Sequence, residues 1–258
     1  MIYKVSNLSF KYPNAKTIFK DINFEIEKGQ LYTILGKNGV GKTTLFNCLL
    51  NINKDYAGTI LLNDENIQIL EEKEIAKVVS SVPQNPNYSF DYTVFDFVLM
   101  GTASNISLFS VPSSKEEKLA YKALKEMEIS DLANKKFYEL SGGEQQLVLI
   151  ARAIVNNPDV IFFDEPTSHL DYNNQIKVLR TINNLKEKGY TVIITTHDPN
   201  QAFALKGNVI LFDNKGSIIS GKSNKVLTKK NLQEVYGNEL NIKRLKEFKR
   251  DFVTYPII

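Results

Sequence analysis

The segment Gly36-Lys37-Asn38-Gly39-Val40-Gly41-Lys42-Thr43 decides the fold. It fits the spacing G-x-x-x-x-G-K-[ST], in which glycines let backbone N–H groups converge on phosphate oxygens. Such a loop needs a buried strand before it and a helix after it. Leu31 to Leu35 is a short apolar run that reads as the strand, and Thr43 to Leu50 reads as the helix, with its positive end toward the loop. In that frame Lys42 reaches the β and γ phosphates of a nucleotide, and the Thr43 hydroxyl is placed to ligate Mg2+.

The pattern continues on both sides. Leu8, Phe10 and Tyr12 alternate with polar residues, as do Ile22, Phe24 and Ile26, so strands precede the loop. Two more strands are expected near 59–62 and 78–82, and then Pro83 and Pro86 mark a break. From Thr93 to about Asn157 the pattern is helical, with amphipathic stretches at Glu116–Met127 and Gln145–Val155. Strands and helices then alternate through Val160–Phe163, Ile176–Glu187 and Thr191–Ile194. A hairpin turns at Asn214-Lys215-Gly216, and the tail from Leu227 reads as polar helix. The fold class is therefore α/β: a phosphate-loop core of mostly parallel, continuously apolar strands, an N-terminal antiparallel β subdomain and an inserted helical subdomain. The expected division is a core of 1–85 and 158–228, a helical part of 86–157 and a tail of 229–258, all within one domain.

Four further sites carry chemistry. Val160-Ile161-Phe162-Phe163-Asp164-Glu165 is a buried strand ending in two carboxylates. Asp164 would hold Mg2+ through water and Glu165 would polarise an attacking water, although alone the pair also reads as solvated carboxylates. Leu140-Ser141-Gly142-Gly143-Glu144-Gln145-Gln146 contains the capping box Ser141-x-x-Glu144, and its two glycines leave backbone N–H groups open to an anion. His197 and Gln84 each follow a strand end, where parallel sheets bind ligands; alone, His197 reads as structural and Gln84 as an ordinary loop residue. Tyr12 reads either as an adenine-stacking ring or as a strand-edge aromatic.

Composition excludes other classes. With 258 residues, 43% hydrophobic and 24% charged, the chain is an ordinary globular length and mix. A net charge of +3 gives no argument for nucleic acid. The one cysteine, Cys48, lies in an apolar run and reads as a buried packing residue. With two histidines besides, His169 and His197, no His/Cys cluster forms a structural zinc site. No apolar run approaches the roughly 20 residues of a membrane span, and the N-terminus lacks signal-peptide character.

Together these segments resemble the ATP-binding subunits of ABC transporters, over nearly the whole chain. The resemblance implies a Walker A loop at Gly36, Lys37, Asn38, Gly39, Val40, Gly41, Lys42 and Thr43, continuing to Thr44. It implies a Q-loop glutamine at Gln84, the family signature from Leu140 through Ser141, Gly142, Gly143 and Glu144 to Gln146, and Walker B ending at Asp164. Glu165 falls on the catalytic glutamate, Ser168-His169-Leu170-Asp171 on the D-loop and His197 on the switch histidine. His169 departs from the alanine common there. ATP and Mg2+ are the implied cofactors: Tyr12, the loop, Ser141 to Glu144 and Asp171 against the nucleotide, and Thr43, Gln84 and Asp164 on the metal. Glu165, His197, Lys42 and Gln84 would carry hydrolysis.

The family works as a head-to-tail pair, so the implied partners are a second copy of the chain, transmembrane permease subunits and, indirectly, a substrate-binding protein, with no nucleic acid. The implied location is the cytoplasmic face of the cell membrane, peripherally. A finer likeness, carried by Phe90–Gly101, Thr167–Asp171, His197–Ala202 and Val226–Leu232, is to the metal-chelate import branch, which serves iron–siderophore, haem, cobalamin and, in some members, molybdate or tungstate uptake. Permease docking is expected along 85–92, with Tyr88 and Phe90 as coupling residues. The alternatives are a non-transport ATPase of the same superfamily, an importer for another solute, and a regulatory module that does not hydrolyse.

Overall fold

The computed structural model describes residues 1–84, 91–106, 111–245 and 250–254. They form two compact units, Met1–Leu70 with Thr191–Ile258, and Glu71–Tyr190.

The first unit opens with β1 (Tyr3–Lys11), β2 (Thr17–Ile26), β3 (Leu31–Leu35), α1 (Lys42–Leu49), β4 (Ala57–Leu62) and β5 (Glu65–Asn66). β1 pairs antiparallel with β2 on one side and β4 on the other, and β5 extends the sheet beside β4. The period-two pattern buries Tyr3, Val5, Leu8 and Phe10 of β1 against Phe19, Ile22, Phe24 and Ile26 of β2. The Tyr3 hydroxyl donates to the Leu49 carbonyl at 2.9 Å, joining this sheet to the end of α1. Cys48 is fully buried, and burial pushes its thiol up to about 12, as suits a packing residue.

The second unit contains α2 (Glu72–Val78), β6 (Val79–Val82), α3 (Val94–Leu99), α4 (Ser114–Glu126), α5 (Gly142–Ile154), β7 (Val160–Asp164) and α6 (Tyr172–Glu187). β6 and β7 are parallel, in register from Val79 opposite Val160 to Val82 opposite Phe163. The helices surround a core that includes Phe97 stacked on Phe137, with the Arg152 guanidinium 4.9 Å from the Phe97 ring centre.

The chain then returns to the first unit through β8 (Thr191–Thr196), α7 (Pro199–Leu205), β9 (Asn208–Phe212), β10 (Ile218–Lys222), α8 (Ser223–Val226), α9 (Lys229–Tyr236), β11 (Asn241–Leu245) and β12 (Arg250–Thr254). β3 lies between β8 and β9 and parallel to both, while β10 closes antiparallel on β9. Every residue of β3, β8 and β9 is buried, which is why their apolar residues run together instead of alternating with exposed polar ones.

The tail departs from the expected polar helix. After α9 it forms an antiparallel hairpin of β11 and β12, with Ile242 opposite Val253. Gly237 ends α9 at φ 116°, and Leu240 and Ile242 then recur two residues apart. Leu240 and Val253 are buried in a cluster with Leu35, Ala202, Leu232 and Val235, and Ile242 packs against it. Burial of these few apolar residues outweighs the charge around them, which had suggested a solvated helix.

Candidate functional site

The phosphate loop is built so that only glycine fits at its turning points. Gly41 has φ 114°, and a Cβ there would meet Ile18 Cγ2 at 2.5 Å. A Cβ on Gly36 would lie 2.9 Å from Val40 Cγ1 and 3.1 Å from Phe212 Cβ. Gly41 is also the N-cap of α1, and it brings no side-chain acceptor to the first turn, which carries no acidic residue either. The positive end of α1 is thus presented with backbone N–H groups for an anion to accept. Lys42 is 5% exposed, and its ammonium donates to the carbonyls of Gly36 at 3.0 Å and Lys37 at 3.1 Å. Thr43 is exposed and Thr44 is buried. The Tyr12 hydroxyl shares a hydrogen bond with Thr44 Oγ1 at 3.4 Å, while its ring stands edge-on to Phe10. Tyr12 therefore sits over the first turn of the helix that follows the loop.

His197 belongs to the same unit. Leu35 is the register partner of Thr196, so Gly36 and His197 leave neighbouring parallel strands at one level of one sheet edge. Parallel register thus brings the exposed His197 to the edge that carries the phosphate loop.

The second unit repeats this arrangement with carboxylates. Val82 is the register partner of Phe163, so Pro83-Gln84 and Asp164-Glu165 leave adjacent strands together. Asp164 is 8% exposed. Glu165 has φ 44°, a left-handed conformation that costs a residue with a Cβ about 1–2 kcal/mol. Ser168 holds it there: its N–H donates to the Glu165 carbonyl at 3.0 Å and its hydroxyl to Glu165 Oε2 at 3.1 Å. His169 is also left-handed, at φ 64°.

The capping box forms as its spacing requires. The Ser141 N–H donates to Glu144 Oε2 at 2.8 Å, the Ser141 hydroxyl to the same oxygen at 2.6 Å, and the Glu144 N–H to Ser141 Oγ at 3.4 Å. The Ser141 hydroxyl, and then its N–H, hold the Glu144 carboxyl below the usual carboxylate range. Asp171 caps α6 by accepting from the Asn174 N–H at 2.9 Å and from the Asn174 amide at 2.6 Å. The Asn174 N–H is the chief cause of its lowered carboxyl pKa. Asn174 also reaches the signature, because a Cβ on Gly143 would lie 2.2 Å from its Oδ1. Leu170 touches Gly142 in the same way, 3.4 Å from where its Cβ would be. Asn174 escaped the sequence reading, although the Asp171-x-x-Asn174 cap spacing is a local signal for it. Ser168 and Leu170 were read only as D-loop members, without these contacts.

Residues 19–168 match the ABC transporter family. The chain belongs to that family. It is 36% identical over 252 residues to the molybdate import ATP-binding protein MolC of Haemophilus influenzae, covering 97% of this chain and 94% of that one. A structure described as an inward-facing conformation of a metal-chelate type ABC transporter is similar at TM-score 0.86 and 33% identity, covering 99% of this chain and 97% of that one. A dimeric ATP-binding cassette in a post-hydrolysis state with ADP and inorganic phosphate is similar at TM-score 0.71 and 28% identity, covering 86% and 99%. The expected α/β cassette fold is the fold of these neighbours, and this ABC subunit binds and hydrolyses ATP.

Tyr12, the phosphate loop and His197 come together in the first unit. Gln84, Asp164 and Glu165 come together in the second, as do Ser141–Glu144 and Asp171. Of the expected docking segment 85–92, residues 85–90, with Tyr88 and Phe90, lie outside the described residues. Among the described residues no helix is long and apolar enough to cross a membrane.

Proposed function

We propose that the chain powers an importer for a metal chelate or metal oxyanion, working as two identical copies beneath permease subunits on the cytoplasmic face of the membrane. The observation that carries the nucleotide reading is the register of Leu35 with Thr196, which sets the glycine cradle and His197 on one strand edge. The cargo class is supported by the molybdate relative and the metal-chelate neighbour.

Tyr12 stacks on the adenine, and the loop from Gly36 to Thr44 wraps the phosphates. Ser141, Gly142, Gly143 and Glu144 of the second copy close over the γ-phosphate, with Asp171 beside the junction of the two copies. The Glu165 carboxylate accepts a proton from the attacking water as oxygen bonds to the γ-phosphorus and the bond to ADP breaks. His197 donates to the γ-phosphate, and Lys42 neutralises charge that grows on the departing oxygens. The buried Asp164 carboxylate beside Gln84 suits a hard cation, so these two and the Thr43 hydroxyl would hold Mg2+, which supplies positive charge against the phosphate oxygens. A substrate-binding protein delivers the solute to the permease.

Phosphate release by wild type and Glu165→Gln tests the hydrolytic core. The variant binds ATP with turnover nearly abolished; wild-type turnover in it sinks the assignment. Co-purification from membranes with a multi-span protein tests the transport reading, and its absence favours a non-transport ATPase.

A further inference from the structure

The C-terminal appendage is tied at two points to the segment Thr196–Gln201, which comprises the loop that carries His197 and the first residues of α7. The Tyr236 hydroxyl donates to the His197 carbonyl at 3.0 Å, and the Val253 N–H of β12 donates to Asn200 Oδ1 at 2.7 Å. All four residues belong to the first unit.

The two ends of this segment are already fixed. Thr196 and Gln201 are buried, and the Thr196 hydroxyl donates to Gln201 Oε1 at 2.9 Å. The Asp198 N–H donates to Thr196 Oγ1 at 3.1 Å, and Asp198 caps α7 by accepting from the Asn200 N–H at 2.8 Å. His197 itself is exposed between them. The orientation of its peptide sets the direction of its Cα–Cβ bond, and hence where the imidazole points.

The donor is held as firmly as the loop ends. Tyr236 is the last residue of α9 and packs against the cluster of Leu232, Val235, Leu240 and Val253. The Asn214 amide donates to the carbonyls of Glu234 at 3.1 Å and Val235 at 3.2 Å, fixing the end of that helix. The ring is therefore anchored by the core while the hydroxyl reaches the loop.

We infer that Tyr236 is a positioning residue for ATP hydrolysis, its hydroxyl holding the His197 peptide so that the imidazole meets the γ-phosphate. The appendage thereby makes turnover depend on the packing of the C-terminal hairpin. The inference rests on the reading of His197 as a γ-phosphate contact.

Tyr236→Phe keeps the ring and the core and removes one donor. Because the imidazole acts on the phosphoryl group as it transfers, the loss falls on kcat and spares KM. Turnover falls about three- to tenfold, the size of one partly solvated hydrogen bond, with KM for ATP within about twofold. The thermal midpoint stays near that of wild type. On a His197→Ala background the same change lowers the residual rate no further. Unchanged kcat in Tyr236→Phe, a loss that multiplies with His197→Ala, or a loss shared equally by KM and thermal stability overturns the inference. Wild-type turnover in His197→Ala alone overturns the reading beneath it, and the inference with it.

Discussion

Gly143 and Asn174 occupy space that a single methyl group would make them contest. A Cβ on Gly143 would stand 2.2 Å from Asn174 Oδ1, and the Asn174 side chain cannot swing away without giving up its amide bond to Asp171 Oδ2. Two motifs that the sequence separates by almost thirty residues are thus locked together at the starts of α5 and α6, within one unit.

Gly143→Ala measures that lock. Alanine gains about 1 kcal/mol over glycine in a helix, whereas overpacking costs about 1–3 kcal/mol. The single variant is destabilised by about 1 kcal/mol. With Asn174→Ala the clash is gone, and Gly143→Ala in that background becomes stabilising. A denaturation cycle over the four proteins checks the change of sign.

Glu165 trades stability for its position. At φ 44° it occupies backbone space that glycine enters without a Cβ penalty. Glu165→Gly is more stable than Glu165→Gln by about 1 kcal/mol, or about 2–4 °C in a chain of this size. Both variants lose turnover. Scanning calorimetry of the two proteins checks the order, which reverses if the conformation costs nothing.

The cap on α5 is sensitive to acid. Hydrogen bonds from Ser141 lower the Glu144 pKa below its ordinary 4.5 in the folded chain. The group therefore contributes stability that is complete above the unfolded pKa and is lost as pH falls through the folded one. The difference in thermal midpoint between wild type and Glu144→Gln is constant from about pH 7 to 5.5 and shrinks steadily below about pH 4. A difference that grows on acidification contradicts this direction.

Much of the fold was legible because its strongest signals are local. Continuous apolar runs marked β3, β7 and β8, and the box Ser141-x-x-Glu144 marked the start of α5. The candidate site residues were read as motifs, and parallel register explains why His197 accompanies Gly36 and Gln84 accompanies Asp164 in the fold. The C-terminal hairpin was not legible, because its strands are held by a distant core of Leu35, Ala202 and Leu232, while their own sequence is rich in charge. Asn174 and Tyr236 escaped for a related reason. Their partners, Gly143 and the His197 carbonyl, lie 31 and 39 residues away, and no local spacing announces these long-range contacts, the cap spacing of Asn174 pointing only to Asp171.

The central claim is that the signature from Ser141 to Glu144 completes the ATP site of a second copy. Light scattering on Glu165→Gln, with and without Ser141→Arg, tests it most directly. With ATP, but not with ADP, Glu165→Gln doubles in mass; adding Ser141→Arg leaves ATP bound and the protein monomeric. Mass doubling that survives Ser141→Arg, or an ATP-loaded Glu165→Gln that stays monomeric, contradicts the claim and reduces the segment to a helix cap.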